Sequence, residues 1–272
     1  MPELPEVETI RRDLARTITG LGVENVLIRD ARVVRMLPGD FVRQLEGRTV
    51  RAVHRRGKAL LIELDGLWLV IQPMMTGQVV YVPPGKKVAA VKETKAVFEL
   101  SKGATLLYND QRLFGRLAVV DRPEEIGYLR AIGPEPLERG FTSGVLAGQL
   151  RGRNVAIKTL LLDHKVVAGI GNIYASEILF RSGIAPKRKA TSLKANEIAR
   201  LHQAIKDVLQ EAVRMRGTSM RNYRDGRGMP GRYLRVVRVY GRCGQPCLEC
   251  GDPIKRFVQA QRSTFFCSRC QK

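Results

Sequence analysis

Four cysteines near the C-terminal end constrain this chain more than any other feature. All five of its cysteines lie beyond residue 242, and four of them form two Cys-x-x-Cys pairs, Cys247 with Cys250 and Cys267 with Cys270. Two chelating pairs of soft thiolates suit one tetrahedral Zn2+ in a closed, structural site. A catalytic zinc would need an open position for water, which nothing in this stretch suggests. Clustered pairs of this kind point to metal in a reducing compartment rather than to disulfides. Two short strands on either side of Gly251-Asp252-Pro253 are expected to make a zinc-pinned hairpin. So small a segment buries too little apolar surface to fold alone, so the metal supplies its folding energy. Cys243 is one residue too distant from Cys247 for the pair pattern and reads as a bystander. Arg256, Arg262 and Arg269 make the module basic and suited to gripping phosphates.

Charge narrows the partner. Lys and Arg number 47 against 26 Asp and Glu, a net +21 over 272 residues. That excess favours a polyanion, nucleic acid before membrane. No run approaches the roughly 18 apolar residues of a membrane span. The N-terminus is acidic and amphipathic, without the basic-then-apolar run of a signal peptide. A cytoplasmic protein is expected, and a monomer is the default. No Walker P-loop occurs, which argues against an ATPase, and Gly169-x-Gly171 lacks the third glycine of a dinucleotide fingerprint.

The hydrophobic period changes along the chain. Short β-prone runs fill residues 21–120: Val26–Ile28, Val50–Val53, Ala59–Leu64, Leu67–Ile71, Val79–Val82, Ala96–Leu100 and Thr105–Tyr108. Short loops at Asp65-Gly66 and Lys102-Gly103 mark two hairpins. These read as a sandwich or barrel with an N-terminal helix packed on it. The prolines and glycines of 131–150 read as a linker. Helical periodicity follows over 155–162, 172–182 and 193–215, then a Gly- and Arg-rich stretch from Gly217 to Tyr233 that suits a mobile lid or an untidy linker. The expected organisation is α+β and multidomain: 1–130 β-sandwich, 131–150 linker, 151–233 helical, 234–272 zinc finger.

Five further stretches could carry chemistry. Residues 2–12 read as a helix entry, with Pro5 at the first position, Glu6 and Glu8 in the first turn, and Val7, Ile10 and Leu14 on a buried face. Removal of Met1 would leave Pro2 as a secondary amine beside Glu3 and Glu6. An α-amino group with a pKa of roughly 8 is partly neutral and nucleophilic at physiological pH. From these residues alone, acidic capping is the simpler reading. Arg55-Arg56-Gly57-Lys58 reads first as a solvated basic cluster. Met74-Met75 and Asp110-Gln-Arg112-Leu-Phe114 are either core or wedges between base steps, and the sequence does not choose. The run from His164 to Asn172 puts glycines and an Asn cap before a helix, which exposes N–H groups to an anion or makes a tight turn.

Taken together, these pieces resemble the formamidopyrimidine-DNA glycosylase family over the whole chain. The matching motifs are Pro-Glu-Leu-Pro-Glu-Val-Glu-Thr at 2–9, Arg-Arg-Gly-Lys at 55–58, Arg112-x-Phe114-Gly115, Gly133-Pro-Glu-Pro-Leu137, Gly-Asn-Ile-Tyr-Ala at 171–175, and the cysteine hairpin. The resemblance implies a β-sandwich with a packed helix, a helix-two-turn-helix domain and a zinc finger, in a nucleoid-associated bacterial repair enzyme that excises oxidised purines from double-stranded DNA. It implies Pro2 as nucleophile forming a Schiff base, Glu3 as proton carrier, Glu6 as support, and Lys58 and Arg262 in base loss and strand elimination. Met75, Arg112 and Phe114 would fill the gap left in the stack, while Arg153, Lys158, Asn172 and Tyr240 would contact DNA. Ser219, Met220, Arg221 and Tyr223 would line the loop over the everted base. The chain departs from the family pattern at Gln72, Thr76 and Lys95, which bear on lesion preference and phosphate contacts. Two other readings fit less of the chain: the sister specificity for oxidised pyrimidines, and a non-catalytic zinc-ribbon binder of nucleic acid.

Overall fold

The computed structural model describes residues 2–86, 91–220 and 222–272, so Arg221 lies outside the described residues. Two compact units result: Met1–Arg130 with Met215–Arg232, and Ala131–Arg214 with Tyr233–Lys272.

The first unit is a β-sandwich. One sheet has the order β1 (Val23–Ile28), β6 (Thr94–Leu100), β7 (Ala104–Asn109), β5 (Gln78–Val82). The other has β2 (Val50–Arg56), β3 (Ala59–Leu64), β4 (Leu67–Gln72), β8 (Arg116–Val120). Every pairing within them is antiparallel. Alternation writes the core: Val50, Val53, Leu60, Ile62, Leu69 and Ile71 of one sheet meet Val26, Val79, Phe98, Leu106 and Tyr108 of the other in one buried cluster. Helix α1 (Leu4–Thr17) adds Val7, Ile10 and Leu14, each at most 1% exposed. Burying a side chain of this size contributes about 1.5–3 kcal/mol, enough to fix the helix that carries the N-terminus. Helix α2 (Pro38–Leu45) closes the cluster with Phe41 and Leu45. Leu64 pairs with Leu67 across Asp65-Gly66, as the sequence predicts. Leu100 pairs with Ala104 around Lys102 and Gly103, both at positive φ. Strand β8, helix α2 and the short helix α3 (Gly127–Ala131) were not expected.

The second unit is helical and ends in a small hairpin. Helices α5 (Ile157–Leu162), α6 (Asn172–Ser182) and α7 (Ala195–Arg214) lie where the period predicts them. Inside the expected linker 131–150 stands a helix, α4 (Ser143–Leu150), capped by the Thr142 side chain and burying Leu146 and Leu150. The Thr-Ser-Gly start and small residues mask it in the sequence. The Gly217–Tyr233 stretch, expected within the helical domain, belongs as far as Arg232 to the first unit.

The C-terminal hairpin pairs β9 (Lys255–Gln259) with β10 (Arg262–Phe266). Its turn is Ala260-Gln261, at φ 47° and 57°, and not the expected Gly251-Asp252-Pro253. A two-residue loop needs φ > 0 at both central positions, which favours Asn and Gly, so Ala-Gln gives no warning. Gly251 instead turns the chain within the cysteine knuckle, where its N–H donates to the Cys247 carbonyl.

Candidate active site

The mount of the N-terminus is polar and closed. Glu3 and Glu6 are 4% and 2% exposed, and Pro2 is buried beside them. The Glu3 backbone N–H donates to Glu6 Oε2 at 2.7 Å. The other Glu6 oxygen accepts the Thr218 N–H, also at 2.7 Å. Gly217 makes this approach feasible: a Cβ there would lie 2.8 Å from Glu6 Oε1, and its φ of 79° favours glycine. Glu6 is therefore a strut between the helix entry and a distant loop, and more than acidic decoration.

Two residues on, Glu8 takes Arg11 at 2.7 Å, Arg12 at 2.7 Å and Arg55 at 3.2 Å. Burial works to raise its pKa, but these guanidiniums outweigh it and hold the carboxyl below its ordinary value. Arg55 corrects the expectation of a solvated basic cluster, since its side chain is only 6% exposed. Its Nη1 donates to the Gly57 carbonyl at 2.9 Å. Arg55 thus ties α1 to the β2–β3 turn, in which Arg56 pairs with Ala59 and the turn residues are Gly57, at φ 56°, and Lys58. The Lys58 N–H donates to the Tyr128 hydroxyl at 3.3 Å.

The two apolar-tipped loops share one scaffold. Met74 and Met75 are 45% and 42% exposed, and Phe114 is 43% exposed, so these residues are not core. Arg112 stacks over the Phe114 ring at 4.7 Å. Asp110, fully buried, accepts the Gly115 N–H at 2.7 Å, the Arg112 N–H at 3.2 Å and the Thr76 hydroxyl. Thr76 Oγ1 in turn accepts from the Arg112 N–H at 3.0 Å, joining the Met75 turn to the Arg112 loop. Gly115 has no room for a side chain, since a Cβ would fall 1.6 Å from the Tyr108 hydroxyl oxygen. Asp110 anchors both loops, and an Asp at the start of a loop is the one signal in the sequence that points to such a role.

The loop after α7 is less open than a lid. Ser219 is held internally, accepting the Gly231 N–H and donating to the Tyr223 carbonyl. Tyr223, expected over a ligand, is 8% exposed within the sandwich cluster, and its hydroxyl donates to the Glu6 carbonyl at 3.2 Å. Met220 is 53% exposed.

In the second unit, Lys158 is 1% exposed. Its ammonium donates to Asn172 Oδ1 and Thr264 Oγ1, each at 2.7 Å, and to the Ser263 carbonyl at 3.2 Å. Asn172 is not the expected cap: Gly171 occupies that position, and the Asn172 amide donates to the Ser263 carbonyl at 2.9 Å. Arg153 and Arg262 are exposed. Tyr240 packs edge-on against Phe265, and its N–H reaches Glu177 Oε1 at 2.8 Å. Glu177, which sequence reasoning passed over, also accepts the N–H groups of Arg238 and Val239. Burial pushes its pKa up even so.

The sulfurs of Cys247, Cys250, Cys267 and Cys270 all lie within 4.8 Å of one another. Cys247 to Cys270 is 3.9 Å and Cys250 to Cys267 is 3.4 Å. Tetrahedral bonds of about 2.3 Å put sulfurs about 3.8 Å apart, so the group fits one Zn2+ closed on all sides. Cys243 is exposed and outside the group.

Three family models match in sequence: the formamidopyrimidine-DNA glycosylase N-terminal domain over residues 1–117, its H2TH domain over 132–224, and a zinc finger found in FPG and IleRS over 244–272. The chain is 44% identical over its whole length to the formamidopyrimidine-DNA glycosylase of Chloroflexus aurantiacus, covering 98% of it. It is 45% identical to that of Desulfitobacterium hafniense, with both chains fully covered. Among solved structures, the MutM (Fpg) protein of Thermus thermophilus matches with a TM-score of 0.89 and 41% identity, over 99% of this chain and 98% of that one. Lactococcus lactis Fpg in complex with DNA containing an abasic site matches with a TM-score of 0.91 and 32% identity, over 99% of each. By sequence over its full length and by fold, the chain belongs to the formamidopyrimidine-DNA glycosylase family.

Proposed function

We propose that this chain is a DNA glycosylase and abasic-site lyase of base-excision repair, acting on oxidised purines such as 8-oxoguanine and formamidopyrimidines. The observation that carries the proposal is the helix entry of a full-length family member: Pro2, Glu3 and Glu6 are buried together, and Glu6 is fixed by backbone donors from both sides. A point mutant of Lactococcus lactis Fpg, 32% identical, has been solved with DNA containing Fapy-dG.

In this reading the target nucleotide is turned out of the duplex, because a stacked base does not present its glycosidic carbon to a nucleophile. Met75, Arg112 and Phe114 fill the gap, which suits their exposure. With Met1 removed, the Pro2 amine attacks the sugar C1′ as the C1′–N bond breaks and the base leaves. The sugar ring opens to give an iminium on Pro2, with Glu3 carrying the proton at the sugar. Lys58 assists base loss and β-elimination, and Arg262 the following δ-elimination. Arg153, Lys158, Asn172 and Tyr240 hold the strand, and a direct Lys158–phosphate bond requires exchange of one of its internal contacts. Ser219 and Met220 belong to the loop over the everted base. Zinc, when bound, supplies no chemistry beyond holding the finger's shape.

Borohydride reduction tests the imine. A duplex with 8-oxoguanine opposite cytosine should be trapped covalently by protein whose N-terminus is Pro2. No trapping with a correctly processed N-terminus rejects the nucleophile.

A further inference from the structure

We propose that Arg216 is a positioning residue for the N-terminal groups, acting through the stem of the loop that follows α7. The proposal rests on the reading that Pro2 and Glu3 are the reactive residues.

Arg216 adopts φ 63°, an uncommon conformation for a side chain of this size. That turn aims its guanidinium at two carboxylates. Nε donates to Asp225 Oδ2 at 2.5 Å and Nη2 donates to Asp13 Oδ2. The two acidic side chains are 0% and 4% exposed, whereas Arg216 is 28% exposed. Arg227 also approaches Asp13, at 3.3 Å, but is 59% exposed and screened by solvent. Arg216 is therefore the main compensation for two carboxylates out of water, and it joins α1 to the loop.

Asp225 spreads the hold along the chain. Its other oxygen accepts the N–H groups of Arg227 and Met229, at 3.0 and 2.9 Å, and its own N–H donates to the Met229 carbonyl. The stem then lies flat on α1 at two levels. A Cβ on Gly226 would meet the Asp13 Cβ at 2.7 Å, and one on Gly217 would meet Glu6 Oε1 at 2.8 Å. Asp13 and Glu6 are seven residues apart, about two helical turns, and so share a face.

The consequence reaches the helix entry. Two residues beyond Arg216, the Thr218 N–H binds Glu6, and the other Glu6 oxygen binds the Glu3 N–H. The Tyr223 hydroxyl anchors the far side of the stem to the Glu6 carbonyl. Release of Arg216 frees the stem from Asp13, lets Thr218 drift from Glu6, and loosens the residue that fixes Glu3. A loop that merely covered a ligand would instead be fixed at its tip and indifferent to the root.

The test uses full-length, zinc-loaded protein with Pro2 exposed. Arg216→Met should lower the single-turnover rate of 8-oxoguanine excision at least about tenfold, while affinity for a duplex with an uncleavable abasic analogue changes less than about twofold. Arg216→Lys, which keeps one charged donor, should recover most of the rate. Because Arg216→Met strands two buried carboxylates, the combined Asp13→Asn, Arg216→Met, Asp225→Asn variant removes all three charges and keeps the fold testable. It should show the same rate loss and faster hydrogen exchange at the Thr218 and Glu3 amides. A folded triple variant with normal excision and unchanged exchange at those amides overturns the proposal. Failure of the wild-type protein to excise or be trapped is a different result. It rejects the enzymatic reading, while amide exchange still decides whether Arg216 fixes the stem.

Discussion

The sandwich and the zinc finger hold their functional side chains by different means. The sandwich buries aliphatic rows from two sheets and α1 in one cluster. Among the described residues the finger's cluster has six buried members, of which two are zinc ligands and one, Phe180, comes from α6. One region is stabilised by apolar area and the other by a metal and a neighbouring helix. The sandwich should therefore lose its chemistry without losing its fold, and the finger should lose its fold with one thiol.

The largest expected effect breaks the first half of that statement. Residues left ahead of Pro2, or Pro2→Gly, should reduce strand cleavage by at least about 10³-fold, the scale of nucleophile loss. The melting temperature should not move, because Pro2 lies outside the helix that carries the apolar face. A fall in melting temperature matching the loss of activity would mean the N-terminus is structural.

Cys250→Ser tests the other half. Three ligands hold zinc poorly, so the variant should lose its equivalent of metal and weaken duplex binding about tenfold or more, as basic contacts of the finger are released. Strong chelators should reproduce this, and the sandwich transition should stay in place. Retention of stoichiometric zinc by the variant would remove Cys250 from the ligand set.

The contrast also explains what could be read from the chain beforehand. Alternating strands and spaced cysteines report on themselves, because their neighbours are local or their chemistry is singular. Arg55 could not be read as buried, since Glu8 stands 47 residues away. Tyr223 enters the sandwich cluster from a loop beyond α7, and no local pattern announces it. Helix α4 is concealed by small residues, and the β9–β10 turn by residues that seldom adopt positive φ. Pro2, Lys58, Met75, Arg112, Phe114 and the four paired cysteines were legible as a motif series. Their supports, Asp110, Glu8 and Arg216, were legible only as pairs, which a single sequence does not display.

Lys158 gives a smaller effect in the second unit. Lys158→Met removes the donor to Asn172 and Thr264, while the Ser263 carbonyl keeps the Asn172 amide, and the lost pairing costs about 1–3 kcal/mol. The transition of the helical unit should fall while that of the sandwich does not. If DNA affinity drops with no change in that transition, Lys158 leaves its internal partners and meets phosphate directly.

The smallest effect is also the sharpest, because it reverses sign between the two regions. Glu8 is buried among guanidiniums, and its folded pKa lies below 4.5. Its contribution to sandwich stability is therefore complete above about pH 4.5 and is lost as the pH falls through the lower folded value. Glu177 is buried among backbone N–H donors, with the Arg238 charge adding only a lesser attraction, and burial holds its folded pKa above 4.5. Its contribution is present below about pH 4.5 and is lost as the pH rises through the higher folded value. Thermal scans across pH 3–8 (roughly, the span that brackets both carboxyls) on the wild type, Glu8→Gln and Glu177→Gln should separate the two. Glu8→Gln should flatten the acid side of the sandwich transition, and Glu177→Gln should remove a decline of the helical unit towards neutral pH. Equal slopes in the two variants would show that backbone dipoles compensate a buried carboxylate as fully as guanidiniums do.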